Sequence, residues 1–364
     1  MRLSWTLNRY FGQQLLMNVA IAFGGFMSVV LIGALVELMR RASGNMDVNF
    51  TTILQMGLLQ TPSLSERALP FAVLFGALWT FIKLGQSGEL VVTRASGVSI
   101  WQLIAPCLIV SVLAGGFIVT VYNPVSASFI ARFEQMEAKH LRGRPSLLAV
   151  SSSGLWLRQA HGEDQSVIHS LAVSGQGMQL ENVIVFLYEG HDRFTGRIDA
   201  DWARLHDGYW EIGNATLTGP NKQAEFHPSY ALPTSLTRAR IQDSFASPET
   251  LPVWDLPEFI SVLEEAGFSA LRHRLHWHAT LALPFLLGAM VMVAAAFAVR
   301  ATRRKGVAMT VLATVFTGFL FFFITDVALA LGRSGSLPVI LAAWAPAMIS
   351  GLAGISMLLH FEDG

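Results

Sequence analysis

Two adjacent arginines, Arg40 and Arg41, close a long apolar run that begins near residue 11. A guanidinium matches a phosphate with two parallel hydrogen bonds, and an exposed helix end does not by itself require two arginines in a row. The pair is a candidate anion contact, although acidic Glu37 lies three residues before Arg40. Glu66, Arg67 and Asp326 also sit at or inside apolar stretches, and Arg333 follows Asp326 by seven residues on a similar helix face. An ionisable side chain in hydrocarbon costs at least about 2.5 kcal/mol. Such residues either pair and snorkel at an interface or face an inter-helix cavity holding an anionic amphiphile, and both readings stay open. Proton coupling through Asp326 is a rival. No GxxxxGK[ST], HExxH or GxSxG pattern occurs, so neither ATP hydrolysis nor these hydrolytic chemistries are expected of the chain itself. His273, His276 and His278 have spacings that could hold a metal, but their place at a span boundary beside Trp277 favours an interfacial belt. No catalytic residue, metal or cofactor is expected.

The stretch ELVVTRASGVS (89–99) poses a different question, since it joins two apolar runs yet is itself half apolar. Wound as a helix it spans about 16 Å, too short to cross a bilayer and too apolar for a free loop. Val91, Ala95 and Val98 would share a stripe, Glu89 would favour the helix dipole from the N-terminal end, and Arg94 and Gly97 complete the segment. It reads either as a docking helix for a separate protein or as a helix lying on the membrane surface.

These residues must be placed by membrane spans. The chain has 364 residues, 52 % hydrophobic and 14 % charged, against about 25 % charged in soluble domains. Net charge is zero, with 25 basic and 25 acidic residues, which implies no nucleic-acid partner. Six runs reach the roughly 20 apolar residues that a crossing needs: about 11–36, 63–84, 100–122, 276–299, 307–331 and 338–360. The first is too long for a cleaved signal peptide and is read as a retained span. Residues 50–61 read as an interfacial helix leading into the second. Arg2, Arg9, Lys83, Arg94, Arg300, Arg303, Arg304 and Lys305 gather on one side, while Arg40, Arg41, Arg67 and Arg333 mark the other. The positive-inside rule then puts both termini and 89–99 in the cytoplasm. Cys107, the single cysteine, is expected as a small buried hydrophobe.

Between the third and fourth spans lies a polar middle segment, 123–272, with 12 basic and 18 acidic residues. It opens with a helix over 125–141 that extends the third span. Alternating stretches such as GLWLRQ, QSVIHSLAV and LENVIVFLYE follow, with turn residues every 8 to 12 positions. They predict an all-β, jelly-roll-like domain over about 145–250, with Trp156, Ile168, Val185, Phe186, Trp202 and Trp210 in its core. DLPEFISVLEEAG predicts a helix with Asp255 as cap and Gly267 past its end. The fold class is thus an α-helical membrane protein, three spans plus three, with an inserted β domain. The domain division is 1–122, 123–272 and 273–364.

SGELVVTRASGVSIWQL after LPFAVLFGAL, then VYNPVSA, LPFLLGAMVMVAAAF, RRKGV and LPVILAAWAPAMI, resembles the LptF/LptG permease family over essentially the whole chain. SGLWLRQ, DGYWEI, QDSFASPETLPVWDLPEFI and SALRHRLHWH look more like the LptG branch. The resemblance implies an ABC-transporter permease of the Gram-negative inner membrane, paired with LptF, driven by an LptB ATPase dimer and bridged by LptC. Its substrate would be lipopolysaccharide, taken from the outer leaflet and passed through a periplasmic jelly-roll towards the outer membrane. The family's coupling helix falls on 87–99, with Glu89 as the acidic residue meeting an arginine of the ATPase. The family's basic residues facing lipopolysaccharide phosphates fall on Arg40 and Arg41. An LptF-type subunit of the same complex and a non-transporting membrane-anchored scaffold are the alternatives.

Overall fold

The computed structural model describes residues 5–42, 49–142, 148–151, 154–161, 164–174, 179–189, 193–220, 223–234, 236, 246–265, 269–303 and 306–362. Arg2, Gly267, Arg304 and Lys305, used in the topology and capping expectations, lie outside them. The chain divides into two compact units. The first comprises Met1–Leu141, Glu249–Trp254 and Arg274–Gly364, and the second Arg142–Pro248 and Asp255–His273.

The first unit is helical. Helix α1 (Trp5–Ala42) is followed by α2 (Phe50–Glu66), α3 (Leu69–Gln86), the short α4 (Glu89–Ala95), α5 (Ile100–Phe117) and α6 (Asn123–Glu137). Among the described residues, six helical stretches are long and apolar enough to cross a membrane: Thr6–Ala42, Leu69–Gln86, Ile100–Leu141, Leu271–Ala298, Val307–Arg333 and Val339–His360. The second begins at Leu69, later than the sequence run suggests, because the chain breaks at Arg67–Ala68. Pro62 is tolerated inside α2, and Pro70 falls in the first turn of α3, where a missing N–H costs nothing. The third continues through a π-helical segment, Ile118–Tyr122, straight into α6. Pro124 cannot donate to the carbonyl four residues back, and the widened turn just before it relieves that mismatch. The Tyr122 hydroxyl ties this turn to α2, 2.8 Å from Ser65 Oγ and 3.3 Å from the Pro62 carbonyl.

Small residues let the helices approach. A Cβ on Gly76 would lie 2.6 Å from Val19 Cα, and one on Gly115 would lie 2.5 Å from Pro284 Cα. Packing with small residues at the crossing is how helices associate where lipid supplies no hydrophobic contrast. Asn18 adds a hydrogen bond from α1 to Thr80 Oγ1 at 2.9 Å. Phe11, Leu15, Leu74, Phe81, Leu103, Ile104 and Leu287 form the buried centre.

Among the described residues, the second unit carries seven strands: β1 (Leu148–Ser151), β2 (Gly154–His161), β3 (Asp164–Ser174), β4 (Gln179–Glu189), β5 (Arg193–His206), β6 (Tyr209–Thr218) and β7 (Glu225–Pro233). Each pairs antiparallel with the next, so the jelly-roll-like region is one sheet in consecutive order. Leu157, Ile168, Val185 and Ile198 stand opposite one another across four strands and are all buried. The sheet curls over this face. The Gln159 side chain on β2 accepts hydrogen bonds from Trp210 Nε1 on β6 at 3.2 Å and from Thr234 Oγ1 at 2.6 Å, and donates to the Pro233 carbonyl at 3.3 Å. Asp207-Gly208 makes the β5–β6 hairpin, with Gly208 at φ 89°.

Three of the six residues assigned to the β core point the other way. Leu155 and Leu157 are buried, so Trp156 between them faces out and lies against His169 with ring centres 4.2 Å apart. Phe186, next to buried Val185, carries the Arg197 guanidinium over its ring. Trp202 packs against Gly213, where an added Cβ would collide with the indole. Strand alternation decides these placements, and aromatic character does not. The helix Leu256–Glu265 (α7) forms as the sequence predicts. Helices α8 (Leu271–Arg303), α9 (Val307–Arg333) and α10 (Val339–Glu362) complete the chain.

Candidate lipid cavity and docking surface

A cavity of about 280 Å3 opens among α2, α3, α8 and α9 within the first unit. Its apolar wall includes Phe71, Leu74, Leu286, Met290, Phe321 and Phe322, and its polar part is made of Glu66, Arg67, Glu249, His276, Asp326 and Arg333. The structure thus brings together Glu66, Arg67 and Asp326, which are separate in sequence, and adds three residues to them. Helical spacing alone pairs Arg333 with Asp326. His276, expected in an interfacial belt, also lines the cavity. Glu249 carries no sequence signal at all, since it sits in a 3-10 turn, Pro248–Thr250, beyond the β-rich sequence.

The cavity's charges are only loosely paired. Arg67 Nη2 lies 3.9 Å from Glu249 Oε1. Ser126 and Asn123 hydrogen-bond the Glu66 carboxyl, while its buried Oε1 atom accepts no hydrogen bond among the described residues. Asp326 and Arg333 form no ion pair among the described residues. Seven residues along α9 separate them by about 10 Å of helix rise.

Arg40 and Arg41 end α1 in a compact network. Arg40 donates through Nε and Nη2 to both oxygens of Glu37, at 2.9 and 2.8 Å. Arg41 donates through Nε to Glu37 at 2.7 Å and through Nη1 to Glu137 of α6 at 3.2 Å. Glu137 is buried, while Arg40 is 74 % exposed. Glu37 therefore holds both arginines, while Arg40 still presents most of its surface outward. Among the described residues, no group of three or more His, Cys, Asp or Glu is placed to hold a metal ion. His273 Nε2 lies 3.0 Å from the Ala246 carbonyl.

The stretch expected as one helix over 87–99 is divided. Helix α4 covers Glu89–Ala95, begins after Gly88 at φ 77° and ends before Gly97 at φ 85°. Ser99 then starts α5 with a capping box, accepting from Gln102 N while the Gln102 side chain accepts from Ser99 N. Val98 consequently lies off the helix, and the apolar stripe consists of Val91 and Ala95. Leu90 is buried and anchors α4, whereas Val91 and Val92 are 56 % and 70 % exposed. Glu89 Oε1 accepts from Ser87 Oγ at 2.9 Å and from the Tyr10 hydroxyl at 3.5 Å. Among the described residues both bonds fall on one oxygen, which leaves Oε2 open to a donor from a partner. Arg94 lies in the last turn.

Among the described residues, six apolar helices split three and three in sequence around an antiparallel β region define the architecture of a multi-span membrane protein with an inserted β unit. The family model described as "Lipopolysaccharide export system permease LptF/LptG" matches residues 9–360, and the chain belongs to that family. The lipopolysaccharide export system permease proteins LptG of Escherichia coli strain K12 and of E. coli O6:H1 strain CFT073 are each 22 % identical to it over 367 residues. Each alignment covers 97 % of this chain and 98 % of the relative. The family is an inner-membrane permease of the lipopolysaccharide export system, a transporter component and not itself an enzyme.

Proposed function

We propose that this chain is an LptG-type subunit of an ATP-driven exporter, which withdraws lipopolysaccharide from the outer leaflet of the inner membrane and passes it through the β unit. In this reading LptF is the paired permease, a cytoplasmic LptB dimer hydrolyses ATP, and LptC joins on the far side. Both termini and α4 face the cytoplasm, and the β unit faces the periplasm. In this reading the chain has three parts: spans one to three over 1–122, the β domain with its flanking helices over 123–272, and spans four to six over 273–364.

The observation that carries the reading is α4. A seven-residue helix with one buried anchor, Leu90, exposes two valines beside a carboxylate whose Oε2 is unoccupied. A helix resting on the membrane would bury Val91 and Val92 in lipid and gain nothing from Glu89 beside them. A groove on another protein uses all three. ATP-driven closure of that partner would displace α4, and the spans would switch between cavity states of different affinity for substrate, which is where transport free energy must reside. Arg40 and Arg41 would meet the substrate phosphates, with Glu66, Arg67 and Asp326 lining the intramembrane surface.

Glu89→Arg tests this. The variant should insert at normal levels yet lose its ATPase on affinity purification and fail to support growth where the chain is essential. Full partner recovery with full complementation would sink the docking assignment.

A further inference from the structure

We propose that the cavity among α2, α3, α8 and α9 selects an amphiphile whose head carries a primary amine beside a phosphate, the phosphoethanolamine pattern, with one acyl chain on the apolar wall. This rests on the lipid-permease reading and specifies the head-group chemistry that one of its surfaces recognises.

The charge balance argues against a simple anion. Three carboxyl groups, Glu66, Glu249 and Asp326, face two guanidiniums, Arg67 and Arg333; burial pushes the Glu66 carboxyl up to about 7, so the formal balance runs from 2 − 3 = −1 with Glu66 ionised to 2 − 2 = 0 with it protonated. One guanidinium, Arg67, already leans on Glu249. A purely anionic head would add repulsion to this set, while a zwitterion keeps the balance and supplies a cation to the acidic side.

Hydrogen bonding points the same way. Among the described residues, Glu66 Oε1 is buried without a donor, and a buried carboxyl oxygen is costly unless something donates to it. An ammonium carries three N–H donors and satisfies it. Asp326 and Arg333, about 10 Å apart along α9, offer opposite charges that a head of two linked groups can bridge. Size limits the rest: at about 280 Å3 the cavity is at or below the lower end of ligand sites, about 300–1,000 Å3. It accommodates one chain and not a whole multi-acyl glycolipid.

The test uses the complete complex, purified through this chain and moved into nanodiscs of defined lipid. Retained lipid is then counted by native mass spectrometry. Ethanolamine phospholipid should be retained at least fivefold over both glycerol and choline phospholipids of the same chains. Choline keeps the positive charge but has no N–H, so it separates charge from hydrogen bonding. Glu66→Gln should abolish the preference, and Asp326→Asn should reduce it. Either variant is judged only in complexes that assemble with unchanged melting temperature, and Glu249→Gln serves if one fails to assemble.

Equal retention of the three lipids, or a preference that survives Glu66→Gln and Glu249→Gln, would overturn the proposal. A competing arm adds a lipid A carrying phosphoethanolamine. Displacement of the bilayer lipid identifies the cargo as the source of the head group, and lack of displacement identifies the bilayer, both with the same recognition chemistry. Stimulation of ATP hydrolysis by lipopolysaccharide is read in the same samples. If it persists while the amine preference is absent, only this inference falls. If it too is absent, the permease reading falls.

Discussion

At the scale of single residues, Arg40 and Arg41 combine two roles that usually exclude each other. They are bound into a network by Glu37 and Glu137, yet Arg40 remains largely exposed. Exposed ion pairs of this kind are weak, so a multivalent phosphate can take over the same donors. Arg40→Glu combined with Arg41→Glu should cut photocrosslinking of lipopolysaccharide from a probe placed nearby on α1, severalfold or more, without loss of the assembled complex. Unchanged crosslinking would remove the phosphate role. The arginines, Glu66, Arg67 and Asp326 are all legible in the sequence because a charge stands out against an apolar run. Glu249 is not, because a glutamate in a polar segment looks like any other and only long-range folding brings it to Arg67.

At the scale of elements, apolar length alone locates every span, and the discrepancies lie at their ends. The helix break at Arg67–Ala68 and the stop at Gly97 depend on backbone conformation, which hydropathy does not encode. Gly115 and Gly116 are adjacent and identical in sequence terms, but only Gly115 meets a neighbour. A methyl added there would lie 2.5 Å from Pro284 Cα, while one on Gly116 would meet nothing within 4 Å. Gly115→Ala should therefore destabilise the purified protein by about 1–3 kcal/mol, the usual cost of overpacking. Gly116→Ala should be neutral or gain up to about 1 kcal/mol from helix propensity. Thermal unfolding in detergent distinguishes them, and equal melting temperatures would contradict the packing. In the sheet, aromatic residues mislead and the period does not. Trp156 and Trp202 sit one position away from buried Leu157 and Ala203, so parity outranks size.

At the scale of the whole molecule, the family and the six-span architecture can be read in advance, whereas the cavity cannot. Its first and last lining residues, Ser63 and Arg333, lie 270 positions apart (333 − 63), and no local period reports such a meeting. The β unit has its own interior, pinned by one polar side chain. Gln159→Leu would leave Trp210 Nε1 and Thr234 Oγ1 without their acceptor, an expected loss of about 1–3 kcal/mol, measurable as earlier unfolding of the β unit by hydrogen exchange. Orientation is checked separately: an alkaline phosphatase fused after Thr218 should be active, and one fused after Ser96 inactive. The reverse pattern would invert the proposed topology. Cys107, meanwhile, is fully buried at the centre of the helical unit, 3.9 Å from the Phe11 carbonyl. The natural chain is thus already close to a thiol-silent background. A single cysteine introduced on α4 or at the cavity mouth can carry a spin label or fluorophore with little competing signal, so the motion of either surface during turnover can be followed without first rebuilding the protein.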